Sequence, residues 1–243
     1  MSYILIVGAK SDIAKATARE YAKNGYDIYL AGRYINELDE FAEDIRVRGE
    51  REVELLELDI TDFTSHQNFY DNLKEKPLGV ISAVGYLGEQ KIAEGNLNET
   101  LNIINANYTG IVSLFNIIAN DFEDRKNGFI VGISSVAGDR GRESNYLYGS
   151  AKAGFSAYLS GLRNRLYKSQ VSVITVKPGF VATKMTEGMD LPERLTASPQ
   201  EVAEDIFNAQ QNGKSIIYTK WIWRYIMMII KSIPEWQFKK MSI

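Results

Sequence analysis

Cysteine is absent from the 243 residues, and histidine occurs once, as His66. The first absence excludes disulfides and thiolate metal sites. The second leaves no histidine metal cluster and no Ser-His-Asp triad, so no metal is expected. Acid–base chemistry must therefore run through Tyr, Lys, Asp, Glu or Ser. Strong charge of either sign is missing too: the net charge of −3 gives no case for a nucleic-acid surface. The start, MSYILIVG, has neither a basic region nor a cleavage site, so it does not read as a signal peptide and a cytoplasmic protein is expected. No linker, internal repeat or low-complexity tract interrupts the chain. The composition, 45% apolar and 24% charged, is ordinary for a globular protein.

What the chain does have is alternation. Apolar, β-rich runs fall at 3–7, 27–31, 53–58, 78–83, 129–134, 171–177 and 215–218. Helical patterns occupy 12–24, 35–48, 64–74, 98–120, 145–168 and 199–212. Strand–helix alternation implies βαβ units and a parallel sheet. Continuous runs such as VSVITV suit strands buried on both faces. The expected fold is α/β: one Rossmann-type domain, a doubly wound parallel sheet of about seven strands with helices on both faces. The start at 199 is well marked, with Ser198 to cap, Pro199 at the first helical position and Glu201 to complete a capping box.

In such sheets ligands bind beyond the carboxyl ends of the strands. After the first strand comes VGAKSDIA, with Gly8 the only glycine; Asp12 and Ala14 stand where further glycines might occur. Gly8 permits a sharp turn, and the helix that follows offers free N–H groups to a phosphate. Asp12 could cap that helix, and Lys10 could add charge near phosphates. Alone, the stretch fits a nucleotide turn or a merely structural corner equally well. After the second strand stands Arg33, suited to a ribose 2′-phosphate where Asp or Glu would suit the 2′-hydroxyl of NAD; a plain surface arginine is the alternative. Asp59 and Ile60 follow the third strand, and the small run Ala83-Val84-Gly85 the fourth. Ser135 follows the fifth. Tyr148 and Lys152, spaced i and i+4, share one helix face, where an ammonium can lower a phenol's pKa from its usual value near 10. The sixth strand runs into Lys177-Pro178-Gly179-Phe180-Val181-Ala182-Thr183, a turn that brings a hydroxyl to the same end.

Together, over roughly residues 3–218, these motifs resemble the short-chain dehydrogenase/reductase family. The resemblance implies that Tyr148 is the general acid in carbonyl reduction, Lys152 lowers its pKa and holds the nicotinamide ribose, and Ser135 bonds the substrate carbonyl. Asn107, in NYTG, matches the family's relay asparagine; a buried Asn bonded to backbone is compatible with that role. Cofactor contacts are implied for Gly8, Lys10, Ser11, Asp12, Ile13, Arg33, Asp59, Ile60, Ala83, Val84, Gly85, Asn107, Tyr148, Lys152, Pro178, Gly179, Val181 and Thr183, with NADPH favoured over NADH. Homodimers or homotetramers built through 98–120 and 145–168 are expected on the same ground. Asp12, Ala14 and Ser82 depart from the family pattern.

The stretch SSVAGDRGRESNYLYGSAKAG further resembles reductases of polyprenylphosphoryl keto-sugars, such as the reductase half of decaprenylphosphoryl-ribose 2′-epimerase. Arg140 and Arg142 lie within it and are candidate substrate contacts, since arginine forks suit phosphate; loop salt bridges to Asp139 or Glu143 are the alternative. Residues 220–243 form a separate basic, aromatic tail, with Lys220, Arg224, Lys231, Lys239 and Lys240 against Glu235 alone. Its apolar run is far shorter than the roughly 20 residues that span a bilayer. An amphipathic helix there could lie in a membrane interface, or pack on the cleft or a second subunit. The expectation is a reductase domain, 1–219, acting with NADPH on a keto-sugar, with linkage to a polyprenyl phosphate at the inner membrane face as its narrower form. A soluble carbonyl or hydroxy-lipid reductase and a non-enzymatic NADP-binding regulator are the alternatives.

Overall fold

Tyr3, Leu5 and Val7 point to one side of the first strand and Ile4 and Ile6 to the other, and all five are buried. A strand apolar on both faces needs a layer of helices on each. The computed structural model describes residues 2–241 and supplies both layers. Met1 of the expected reductase segment and Ser242 and Ile243 of the expected tail lie outside the described residues.

The chain runs β1 (Tyr3–Val7), α1 (Asp12–Lys23), β2 (Asp27–Gly32), α2 (Asp39–Gly49), β3 (Val53–Glu57), α3 (His66–Asp71), β4 (Gly79–Ser82), α4 (Gln90–Ala93), α5 (Leu97–Ile104), α6 (Gly110–Arg125) and β5 (Phe129–Ile133). It continues through α7 (Tyr146–Leu166), β6 (Ser172–Pro178), β7 (Phe180–Val181), β8 (Thr196–Ala197), α8 (Pro199–Gln211), β9 (Ile216–Thr219), α9 (Ile222–Ser232) and α10 (Glu235–Phe238). Seven strands form a parallel sheet in the order β3-β2-β1-β4-β5-β6-β9. Helices α1, α2 and α8 cover one face, and α3, α6 and α7 the other. The fold is therefore the doubly wound one that the alternation predicts.

The differences are local. The expected helix at 35–48 begins as a 3₁₀ turn, Ile35–Leu38, entered through Tyr34 in the left-handed region (φ 53°). The Glu57 carboxylate accepts from the N–H groups of Tyr34 and Ile35 and holds that entry. The helix expected at 98–120 extends to Arg125 and is widened by a π-helical turn at Asn105–Thr109. This 29-residue run is long and apolar enough to cross a membrane by length and composition. Here Ile111, Leu114, Phe115, Ile118 and Phe122 are buried against the sheet. The capping box at Ser198 forms as expected: Ser198 Oγ accepts from Glu201 N at 3.1 Å and Ser198 N donates to Glu201 Oε2 at 2.7 Å.

Helix α9 docks through one stripe. Trp223 and Met227 are buried with Val136, against Phe180, Leu195, Tyr218, Ile226 and Ile230. Trp223 donates from Nε1 to the Leu195 carbonyl at 3.0 Å and meets Phe180 edge-on. The opposite stripe, Trp221, Tyr225, Met228 and Ile229, is exposed. Gly179 lies under the indole so closely that a Cβ there would come within 1.9 Å of Trp223 Nε1. Gly179→Ala should therefore push α9 off its seat. Overpacking of this kind costs about 1–3 kcal/mol, and each kcal/mol lowers Tm by about 2–4 °C in a chain of this size. Thermal unfolding and faster tryptic cleavage at Arg224 and Lys231 check this.

Candidate active site

Strand order reverses between β1 and β4, which opens a crevice at their carboxyl ends. The chain leaves β1 through Gly8 at φ +82°, and a Cβ there would lie 2.8 Å from Val84 N and 2.9 Å from Ala83 C. Glycine is required twice over, by the left-handed backbone and by the pressing of the β1 turn against the β4 turn. Helix α1 then starts into the crevice. Its N-cap is Ser11, whose Oγ accepts from Ala14 N at 3.1 Å, and not Asp12 as expected. Asp12 is the first helical residue instead. Its Oδ2 accepts from the backbone N–H of Lys184 at 2.9 Å, which ties α1 to the loop after Thr183 across the crevice mouth. Turning to a backbone N–H was the expected behaviour of this side chain; the partner, 172 positions away, was not foreseeable.

Lys10 lines the same crevice. Its ammonium pairs with Glu37 at 2.7 Å and lies 5.3 Å from the Tyr34 ring centroid. Arg33 makes no hydrogen bond or ion pair among the described residues. The Asp59 carboxylate is opposed by burial, yet the Thr61 hydroxyl and N–H, with Arg33 nearby, hold its pKa below the ordinary value.

Ser134 and Ser135 leave β5 with different tasks. Ser134 Oγ donates to the Lys152 carbonyl at 2.9 Å and bonds Ser156, so it fastens α7 to the sheet. Ser135 Oγ accepts from Ala137 N at 3.1 Å and lies beside the Tyr148 hydroxyl. Burial pushes the Tyr148 phenol up to about 12, against the opposing pull of Ser135. Burial lowers Lys152 to about 7. Its Nζ donates to the carbonyls of Ile133 at 3.1 Å and Val84 at 3.3 Å, and sits 5.7 Å from the Tyr148 ring centroid. The expected lowering of the phenol pKa by Lys152 is thus outweighed: desolvation acts on both groups and moves each toward its neutral form.

Asn107 is fully buried inside the π-helical turn. Its Nδ2 donates to the carbonyls of Tyr86 at 2.6 Å and Ile103 at 2.9 Å, and its Oδ1 accepts from Tyr86 N at 3.2 Å. It stands behind the wall and braces Tyr86, which lines the crevice. His66, buried on α3, bonds Ser113 and takes no part. The loop after β6 closes the remaining side. Gly179 N donates to the Thr219 carbonyl, and Thr183 caps the short 3₁₀ turn Lys184–Thr186.

These groups surround one cavity of about 860 Å³. Every sequence-predicted site residue lines it except Asn107 and Arg140. Arg140 faces the tail instead: it donates to the carbonyls of Lys231 and Ile233, pairs with Glu235 at 2.7 Å and stacks over Phe238. Arg142 does face the cavity. Tyr34, Tyr86, Asn145, Met185 and Met189 also line it and were not singled out from sequence. Only Asn145 carried a signal, being within the stretch between Ser135 and Tyr148; the others are brought in by loop geometry.

A doubly wound sheet with this cleft at its switch point defines a nucleotide-dependent enzyme class. Residues 2–193 match the sequence profile described as short chain dehydrogenase. An uncharacterized oxidoreductase of Mycobacterium tuberculosis is 34% identical over 241 residues, spanning 98% of this chain and 96% of its own. Another, from Streptomyces coelicolor, is 29% identical and spans 99% and 96%. Among solved structures, a Sphingobium yanoikuyae short-chain dehydrogenase in complex with NADPH superposes with TM-score 0.83 at 23% identity, covering 97% of each chain. A bulky-bulky ketone specific alcohol dehydrogenase of Comamonas testosteroni gives 0.80 at 19%, covering 97% of this chain and 96% of its own. The chain belongs to the short-chain dehydrogenase family and is an NAD(P)-dependent oxidoreductase of that class.

The residues present fit a dinucleotide. The Gly8 turn has no room for a Cβ, the Asp12 and Ile13 N–H groups at the start of α1 have no partner among the described residues while those of Ala14 and Lys15 go to Ser11, and the Arg33 guanidinium makes no hydrogen bond or ion pair among the described residues. Lys152 should titrate near pH 7, as ammonium below and amine above. NMR of labelled lysine, assigned with Lys152→Met, checks this; titration near the ordinary 10.5 is the contrary result.

Proposed function

We propose that this chain is an NADPH-dependent reductase of a keto-sugar carried on a polyprenyl phosphate. Residues 1–219 form the reductase domain, and the tail, 220–243, rests on the inner face of the membrane. The observation that carries the reductase reading is the placement of Ser135, Tyr148 and the buried Lys152 on the wall of one cleft.

The Gly8 turn and the start of α1 hold the pyrophosphate, Arg33 the 2′-phosphate, and Asp59 and Ile60 the adenine. Ala83, Val84 and Gly85 pack against the cofactor, while Pro178, Gly179, Val181 and Thr183 flank the nicotinamide. When bound, NADPH supplies the hydride. Ser135 holds the substrate carbonyl oxygen by its hydroxyl. Tyr148, with its proton held until about pH 12, is a neutral acid at working pH and donates that proton to the developing alkoxide. Lys152 beside it is charged below about pH 7 and favours the phenolate left behind. Asn107 positions the wall through Tyr86. The free guanidinium of Arg33 and the NADPH bound to the Sphingobium relative support NADPH over NADH.

The exposed apolar stripe of α9, flanked by Lys220, Arg224 and Lys231, supports the membrane reading. The keto-sugar reading is supported by the likeness of the 134–154 stretch to reductases of that kind. The burial of Trp223 and Met227 favours a second reading, a soluble carbonyl reductase whose tail serves as a lid. Homodimers or homotetramers through α5–α6 and α7 fit either.

Two outcomes test the proposal. Purified protein should oxidise NADPH with decaprenylphosphoryl-2-keto-ribose, using NADH at least about tenfold less well, and Tyr148→Phe should lose about 10²–10⁴-fold in kcat; tight NADH with weak NADPH overturns the cofactor assignment. The chain should also sediment with anionic liposomes and lose this when Trp221, Tyr225 and Ile229 are changed together to Ser, which leaves the packed stripe intact. Absence of liposome binding by the unaltered protein ends the membrane reading.

A further inference from the structure

The two arginines of the 139–146 loop have opposite fates, and the difference has chemical content. Arg140 is saturated by the tail. Arg142, two residues on, lines the active-site cavity with no ion pair among the described residues. Its Nε is buried without a hydrogen-bond partner, and its Nη2 reaches only the Met227 sulfur, at 3.4 Å. A thioether is a weak acceptor. The nearest acid in the loop is not available to it. Asp139 gives one oxygen to Lys177 and the other to the Tyr218 hydroxyl at 2.8 Å. Glu143 is exposed and makes no bond to it.

A guanidinium withdrawn from water without a counter-charge is expensive, and proteins pair such groups. Burial accordingly lowers the pKa of Arg142, with only Asp139 opposing at a distance. Three residues further along, Asn145 also lines the cavity, and its Oδ1 is buried with no donor. The cleft thus holds an unused fork of N–H donors and an unused amide oxygen, on the loop that leads directly into Tyr148.

We infer that Arg142 and Asn145 form a substrate subsite in which the guanidinium takes an anionic oxygen group, phosphate or carboxylate, and the amide oxygen takes a hydroxyl. The substrate is then an anion that carries its charge on the α9 side of the reacting carbonyl, against Met227. This rests on the reading of the Tyr148 cleft as a carbonyl-reduction centre, and it narrows the substrate class to hydroxylated, acidic ketones. Met227 takes one N–H of the guanidinium, so α9 borders the subsite.

Calorimetry on NADP⁺-saturated protein, with the cofactor's phosphate positions filled, uses phenyl phosphate and benzoate as probes. At least one should bind, the stronger one naming the anion. Affinity should fall at least tenfold in Arg142→Met and recover in part in Arg142→Lys. In parallel, the ratio of kcat/KM for dihydroxyacetone phosphate over dihydroxyacetone should fall tenfold or more in Arg142→Met. If neither probe binds, or if binding and the ratio are the same in Arg142→Met and the unaltered protein, the subsite is wrong even though ketones turn over. If no ketone turns over while probe binding still depends on Arg142, the subsite stands and the reductase reading fails. Thermal unfolding of both variants separates these results from a loss of fold.

Discussion

Burial of the Lys152 ammonium is the constraint around which the site is organised. Its Nζ reaches the carbonyls at the ends of β4 and β5, Val84 and Ile133, and so joins two strands to α7. The same helix carries Tyr148 one turn earlier. A lysine enclosed this way cannot keep its full affinity for a proton, and the phenol beside it cannot easily release one. Both shifts favour the neutral forms, the phenol of Tyr148 and, above about pH 7, the amine of Lys152.

Around that pair the cleft is closed by contacts that bridge distant parts of the chain. Asp12 fastens the start of α1 to Lys184, so the loop after Thr183 is tethered to the turn that follows β1. Asn107 repairs the backbone at a π-helical turn and pins Tyr86 to the wall. Trp223 seats α9 on Gly179 and Leu195. The tail is bound at one stripe, clamped by Arg140, and open at the other.

The departures from the family pattern also acquire reasons. Gly8 cannot be replaced, because the β1 and β4 turns touch there. The position held by Asp12 tolerates a side chain because it opens a helix and faces a loop N–H. Lys10, expected to add charge near phosphates, lines the cavity while pairing with Glu37 beside the Tyr34 ring.

The sequence by itself determined the layered α/β fold, the seven strands and their approximate ends, and the grouping of Gly8, Arg33, Ser135, Tyr148 and Lys152 at one edge. These are consequences of local periodicity and of the rule that parallel strands place their loops together. It also marked the Ser198 cap, whose partners lie three residues apart. Only the tertiary structure decided which arginine faces the cavity, where the Asp12 and Lys10 charges go, and how far the Tyr148 and Lys152 protons are shifted. Arg140 and Arg142 are alike in composition and spacing; what separates them is that Glu235, more than 90 residues away, meets one of them and not the other. Charge pairing and desolvation depend on neighbours that the fold assembles, and no local pattern in the chain encodes them.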